Sequence, residues 1–225
     1  GLSPSAYVKK RGAYAPELAE KIYRMYIDMA FRNRFLHADL HAGNIMIDEN
    51  DRVVLIDTGL AHEFPNYYVK RYLRIYLCIA AVDGYLQIDN YYSGRTHLIT
   101  PEDKKALGFD MHVMYQKWDK NRQKDLTVLW LRVMVLLRKH KVVMDRELMM
   151  MMISDITMSG VVHEFDPAFD VVEFVRHEIP RLIFNDGKLA LNDPYLLSAS
   201  RRDLLKDIRT AMGMEVPDID FAAQA

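Results

Sequence analysis

The sequence predicts a mainly α fold carrying one small β-hairpin. Two observations predict it. Apolar residues recur at i, i+3 and i+4 from Leu18 to Met29, and helical patterns resume after Pro65 and dominate the rest of the chain. Between them lie two β-like runs, Ile45–Ile47 and Val53–Ile56, flanking the polar turn Asp48–Arg52. A lone hairpin is marginal in water, so this one has to be packed or put to use.

The elements follow in order. Residues 1–15 read as a loop with a basic cluster at Lys9, Lys10 and Arg11. Pro16 opens a helix running to about Asn33, with Leu18, Ile22, Met25, Tyr26 and Met29 on its apolar face. The hairpin comes next. Later helices are expected at about 66–82, 101–118, 125–140, 145–163, 169–184 and 199–212, with Asp145 and Ser200 as N-caps. Residues 84–100, with Gly84, Gly94 and nearby tyrosines, read as a loop. Residues 1–184 are taken as one domain and 185–225 as a helical extension.

Bulk properties exclude several classes. The 225 residues are half hydrophobic, enough for a sizeable core. A net charge of -1 lacks the basic excess of a nucleic-acid binder. The single cysteine, Cys78, rules out a disulfide scaffold. The apolar run Leu126–Leu137 is interrupted by Arg132 and is too short to span a bilayer, so no transmembrane helix is expected. The chain opens at Gly1 without an initiator Met or a targeting pattern, and reads as a fragment or excised domain.

The chemistry concentrates in Phe35-Leu-His-Ala-Asp-Leu-His-Ala-Gly-Asn-Ile-Met-Ile47, which contains H-x-D-x-x-x-x-N as His37, Asp39 and Asn44. Asp57 follows the second strand in Asp-Thr-Gly. Phosphoryl transfer from ATP needs Mg²⁺ to neutralise phosphate charge and a group that positions the nucleophile. Mg²⁺ prefers carboxylate and amide oxygens. A tight hairpin brings Asn44 and Asp57 together as such a pair, and Asp39 is placed to accept a proton from a hydroxyl or water. Gly43 and Gly59 are expected to allow sharp backbone turns beside the ion. The combination predicts the C-terminal lobe of a protein-kinase-like fold.

The stretches His37-Ala-Asp-Leu-His-Ala-Gly-Asn44 and Leu55-Ile-Asp-Thr-Gly-Leu-Ala61 resemble the ABC1 family, also called the UbiB or ADCK family of atypical kinases. Residues 136–148 and 159–170 resemble it too, so the likeness runs from Gly1 to about Pro180. The resemblance implies Asp39 as the catalytic-loop aspartate, Asn44 and Asp57 as Mg²⁺ ligands, and His37 as a prop for the loop. It implies ATP and Mg²⁺ as cofactors, weak ATPase or unorthodox kinase activity, and a link to ubiquinone and lipid metabolism. Thr58 in place of Phe is nearest the D-A-G branch, which implies a mitochondrial, membrane-peripheral setting, with a cytoplasmic one as the alternative. Membrane lipid or a quinone-pathway protein are the implied partners.

Departures from the family pattern are equally visible. The family's N-lobe with its K-x-G-Q segment is absent, and Ala42 replaces the usual Pro. The chain alone is therefore expected to bind ATP weakly or not at all. Two rivals stand beside this reading: a small-molecule phosphotransferase of the aminoglycoside or choline kinase type, and a non-catalytic pseudokinase scaffold.

Blander readings complete the picture. His37, Asp39 and His41 on one strand face would suit a metal triad, but His41 reads better as a loop-shaping hydrogen bonder. Met149–Met152 reads as core helix, and Lys9–Arg11 as a solvated patch. Tyr91, Tyr92, Trp118 and Trp130 read as core or interface before they read as a lipid groove. His163 and Asp166 read as a helix cap and turn.

Overall fold

The computed structural model describes residues 1–57, 59–81, 100–120 and 126–181. Its elements are α1 (Pro4–Arg11), α2 (Pro16–Phe31), β1 (Phe35–His37), a 3-10 turn (Ala42–Asn44), β2 (Ile45–Ile47), β3 (Val53–Leu55) and β4 (Ala61–Glu63). Then come α3 (Asn66–Ala81), α4 (Pro101–Lys120), α5 (Leu126–Lys139), α6 (Arg146–Phe165) and α7 (Val171–Pro180). The mainly α class with a small hairpin is what the sequence predicts. The expected loop at 84–100, Ser200, Tyr91, Tyr92, the helix at 199–212 and the 185–225 extension lie outside the described residues.

Two elements differ from expectation. Residues 4–11 form a helix rather than a loop. Ser3 caps it, its Oγ accepting from the Ala6 N–H, and Gly12 ends it in the left-handed region at φ 73°, its N–H bonding the Val8 carbonyl. Lys9, Lys10 and Arg11 sit in its last turn, where positive charge suits the helix dipole. The second difference is an extra two-stranded sheet. β1 pairs antiparallel with β4, Leu36 opposite His62. The predicted hairpin is the other sheet, β2 with β3, Met46 opposite Val54. Its turn is fixed by Asp48, whose Oδ1 accepts from the Asn50 and Arg52 N–H groups. The bond from Arg52 leads in holding that carboxyl below the usual range. Leu2 bridges Ile47 on the far side of β2.

Helix α6 is the centre of the lobe. It packs against α1, α2, α3, α5 and β1. Met151, Met152, Met158, Val161, Val162 and Phe165 are buried, while Met149 is exposed, so the methionine run is core with one solvent-facing side. Asp145 stands at its N-cap position, but makes no side-chain cap bond; its carboxylate pairs instead with the buried Arg71 of α3. At the other end His163 reaches the Ser159 and Phe169 carbonyls, and Asp166 accepts from the Ala168 N–H, as a cap and turn. Asp170 caps α7 through the Glu173 N–H. Burial pushes the Glu178 carboxyl of α7 up, but Arg24 and Arg181 outweigh it and hold it low, tying α7 to α2.

A polar knot sits inside this apolar core. Asp155 of α6 is fully buried and accepts from Tyr26 Oη at 2.8 Å, Tyr76 Oη at 2.5 Å and Trp130 Nε1 at 3.1 Å. Tyr72 and Tyr23 extend the knot through bonds to Tyr26 and Tyr76. Burial pushes the Asp155 carboxyl up to about 6 against those bonds. Trp118 and Trp130 are both buried, which is the core reading. Among the described residues no helix is long and apolar enough to cross a membrane.

Candidate functional site

The site is a loop between two strand pairs, hung on the side chain of His37. His37 ends β1 and is 1% exposed. Its Nδ1 accepts the Asp39 N–H at 3.3 Å, which leaves Nε2 as the protonated nitrogen. Nε2 donates to the Asp57 carbonyl at 2.5 Å. One imidazole therefore joins the backbone at Asp39 to the backbone at Asp57. The bond from Ala38 N–H to the Leu60 carbonyl adds a second tie between the same segments.

Asn44 makes the next connection. It is 8% exposed, and its Nδ2 donates to the Asp39 carbonyl at 2.8 Å. With the NH₂ group so committed, Oδ1 is the atom left to face a ligand. The Asn44 carbonyl accepts the Ile56 N–H at 2.9 Å, immediately before Asp57. Asp39 and Asn44 are thus bonded directly, and Asn44 is tied to Ile56, the residue before Asp57.

Asp57 has a left-handed backbone, φ 58°, an uncommon state for a residue with a Cβ. Its Oδ1 accepts the Gly59 N–H at 3.1 Å, a local turn that fixes the carboxylate. The two glycines act differently from expectation. Gly43 has no positive φ. A Cβ on Gly43 would lie 2.8 Å from His41 Cε1, and one on Gly59 would lie 3.1 Å from Asp57 Oδ1. They leave room for neighbouring side chains, and the turning strain is carried by Asp57 itself.

The metal-triad alternative loses His37, because both its ring nitrogens are used on backbone groups. Among the described residues no group of three His, Cys, Asp or Glu could hold a metal. A carboxylate and an amide oxygen remain as a hard donor pair. That set fits Mg²⁺, which takes one or two protein carboxylates and completes its shell with water and phosphate.

Sequence reasoning missed one supporting residue. Ser154 of α6 is buried and its Oγ donates to the His37 carbonyl at 3.1 Å. The signal was a serine and an aspartate set side by side within a methionine-rich helix, polar groups that need partners when buried.

A helical lobe in which an H-x-D-x-x-x-x-N loop and a D-x-G segment flank a hairpin is the C-lobe of a protein-kinase-like fold. Residues 2–89 match the family model of the ABC1 atypical kinase-like domain. An AarF domain-containing protein kinase 1 of Gallus gallus is 26% identical over 87 residues, 36% of this chain and 17% of the relative. An AarF domain-containing kinase 1 of Drosophila melanogaster is 32% identical over 81 residues, 34% of this chain and 16% of the relative. Residues 2–89 are thus similar to the ABC1 family, and this segment holds Asp39, Asn44 and Asp57. The likeness read at 136–170 falls outside the matched residues. The chain spans about a sixth of the length of these two curated relatives. No solved structure matches.

Proposed function

We propose that this lobe forms the metal-binding half of an Mg-ATP phosphotransfer site of the ABC1 type. The single observation that carries the reading is the His37 imidazole, which holds the loop of Asp39 against the segment of Asp57. Asn44 Oδ1 and the Asp57 carboxylate would hold Mg²⁺. When bound, the ion supplies positive charge against the phosphate oxygens. The Asp39 carboxylate accepts the proton of a hydroxyl or water and orients its lone pair toward the phosphorus. His37 keeps the two aspartates in register and takes no part in proton transfer, since both its nitrogens are already in use.

A link to ubiquinone or lipid metabolism, and a mitochondrial membrane surface as the working place, rest on the family resemblance. The family match favours this reading over an aminoglycoside-type phosphotransferase.

The experiment joins this chain to an upstream ATP-binding lobe from an ABC1 relative and measures nucleotide binding and ATP turnover. Asp57→Asn is expected to abolish Mg-dependent binding. Asp39→Asn is expected to spare binding and lower turnover. Both variants matching the unsubstituted protein would overturn the enzymatic reading and favour a scaffold.

A further inference from the structure

We infer that His41 is a positioning residue for Asp39, acting through its Nε2–H; the inference rests on the proposed role of Asp39. His41 Nδ1 accepts the Gly43 N–H at 3.0 Å. An acceptor nitrogen carries no proton, so in the neutral ring the proton is on Nε2. Nε2 lies 3.6 Å from Asp39 Oδ2. That is slightly beyond hydrogen-bond length, and a small ring movement closes it.

The ring is half exposed, yet it is held on two sides. Gly43 supplies the N–H, and its missing side chain leaves the space the ring fills, since a Cβ there would come within 2.9 Å of Nδ1. Shaping the loop alone does not need a histidine. An asparagine or aspartate at position 41 would accept the Gly43 N–H equally well. The imidazole adds a second nitrogen, which lies 3.6 Å from the carboxylate of Asp39. A donor at that point fixes which carboxylate oxygen faces the acceptor substrate.

Two substitutions separate the two nitrogens. His41→Asn keeps an acceptor near the position of Nδ1 and removes the Nε2 donor. His41→Gln keeps a donor near the position of Nε2 and removes the acceptor. In the chain joined to an ATP-binding lobe, His41→Asn is expected to keep the melting temperature and Mg-nucleotide affinity while lowering kcat on the order of tenfold to a hundredfold. His41→Gln is expected to retain more of kcat. Nitrogen NMR of the ¹⁵N-labelled chain alone should report the Nε2–H tautomer, and Asp39→Asn should shift the Nε2 resonance of His41.

The inference is overturned if His41→Asn turns over ATP at the unsubstituted rate while Asp39→Asn does not, or if the NMR reports the Nδ1–H tautomer. If Asp39→Asn leaves turnover unchanged, the proposed function fails first, and the positioning role fails with it.

Discussion

The Ser154 hydroxyl donates to the His37 carbonyl across 3.1 Å inside the core. This bond connects the central helix to the residue that joins Asp39 to Asp57. Replacing Ser154 by Ala leaves a buried carbonyl short of a donor. The expected loss is about 1–2 kcal/mol, read as a lower urea midpoint with an unchanged m-value. A midpoint equal to that of the unsubstituted chain would mean the bond carries nothing.

His37 has more to lose. His37→Phe keeps the volume but strips a donor from the Asp57 carbonyl and an acceptor from the Asp39 N–H. The change should destabilise the chain by about 2–4 kcal/mol, measured by denaturant unfolding. Asp39→Asn, which leaves the ring's backbone bonds in place, should stay close to the unsubstituted stability.

Asp57 sets stability against function. At φ 58° a Cβ is strained by about 1 kcal/mol. Asp57→Gly relieves that strain but gives up the Gly59 bond and the carboxylate. Asp57→Ala gives up the same groups and keeps the strain. The glycine variant should therefore melt above the alanine variant, although both lack the proposed ligand. Equal melting temperatures would show that the left-handed backbone exacts nothing.

The Asp155 knot predicts a pH signature. Burial raises the folded carboxyl from 3.8 to about 6, so between those values the folded chain binds more proton than the unfolded one. This group's contribution is greatest below pH 4 and falls as pH rises through 6, by about 3 kcal/mol in total. Asp155→Asn cannot ionise. Its stability profile should lack that decline, so the unsubstituted chain should lose ground relative to the variant between pH 4 and 7. Parallel profiles would sink the assignment. The facing phenols of Tyr26, Tyr72 and Tyr76 are themselves pushed well up by burial, and stay protonated throughout this window.

The sequence was most legible where a signal is local. The hairpin strands are contiguous with their turn, and the helices after Pro65 announce themselves by spacing. The β1–β4 sheet was hidden because each strand has three residues and its partner lies across the whole site loop. Helix α1 was hidden because it is two turns long and ends in three basic residues. At the site, the H-x-D-x-x-x-x-N and D-x-G motifs singled out Asp39, Asn44 and Asp57, and the fold links the segments that carry them. They did not give the division of labour between Gly43, Gly59 and Asp57. Whether a glycine serves a turn or a neighbour's side chain depends on three-dimensional packing. Asp145 shows the same limit: its place at the helix start was readable, but its pairing with Arg71 was not.

The bridge between Leu2 and Ile47 bears on solubility. Two 2.8 Å bonds run between these residues, so β2 has β3 on one flank and an extended segment on the other. A short apolar strand with an open flank would present a template on which another molecule could align its own backbone. Here that flank is occupied at Ile47 by the same polypeptide, which discourages edge-to-edge aggregation through the Ile-Met-Ile strand.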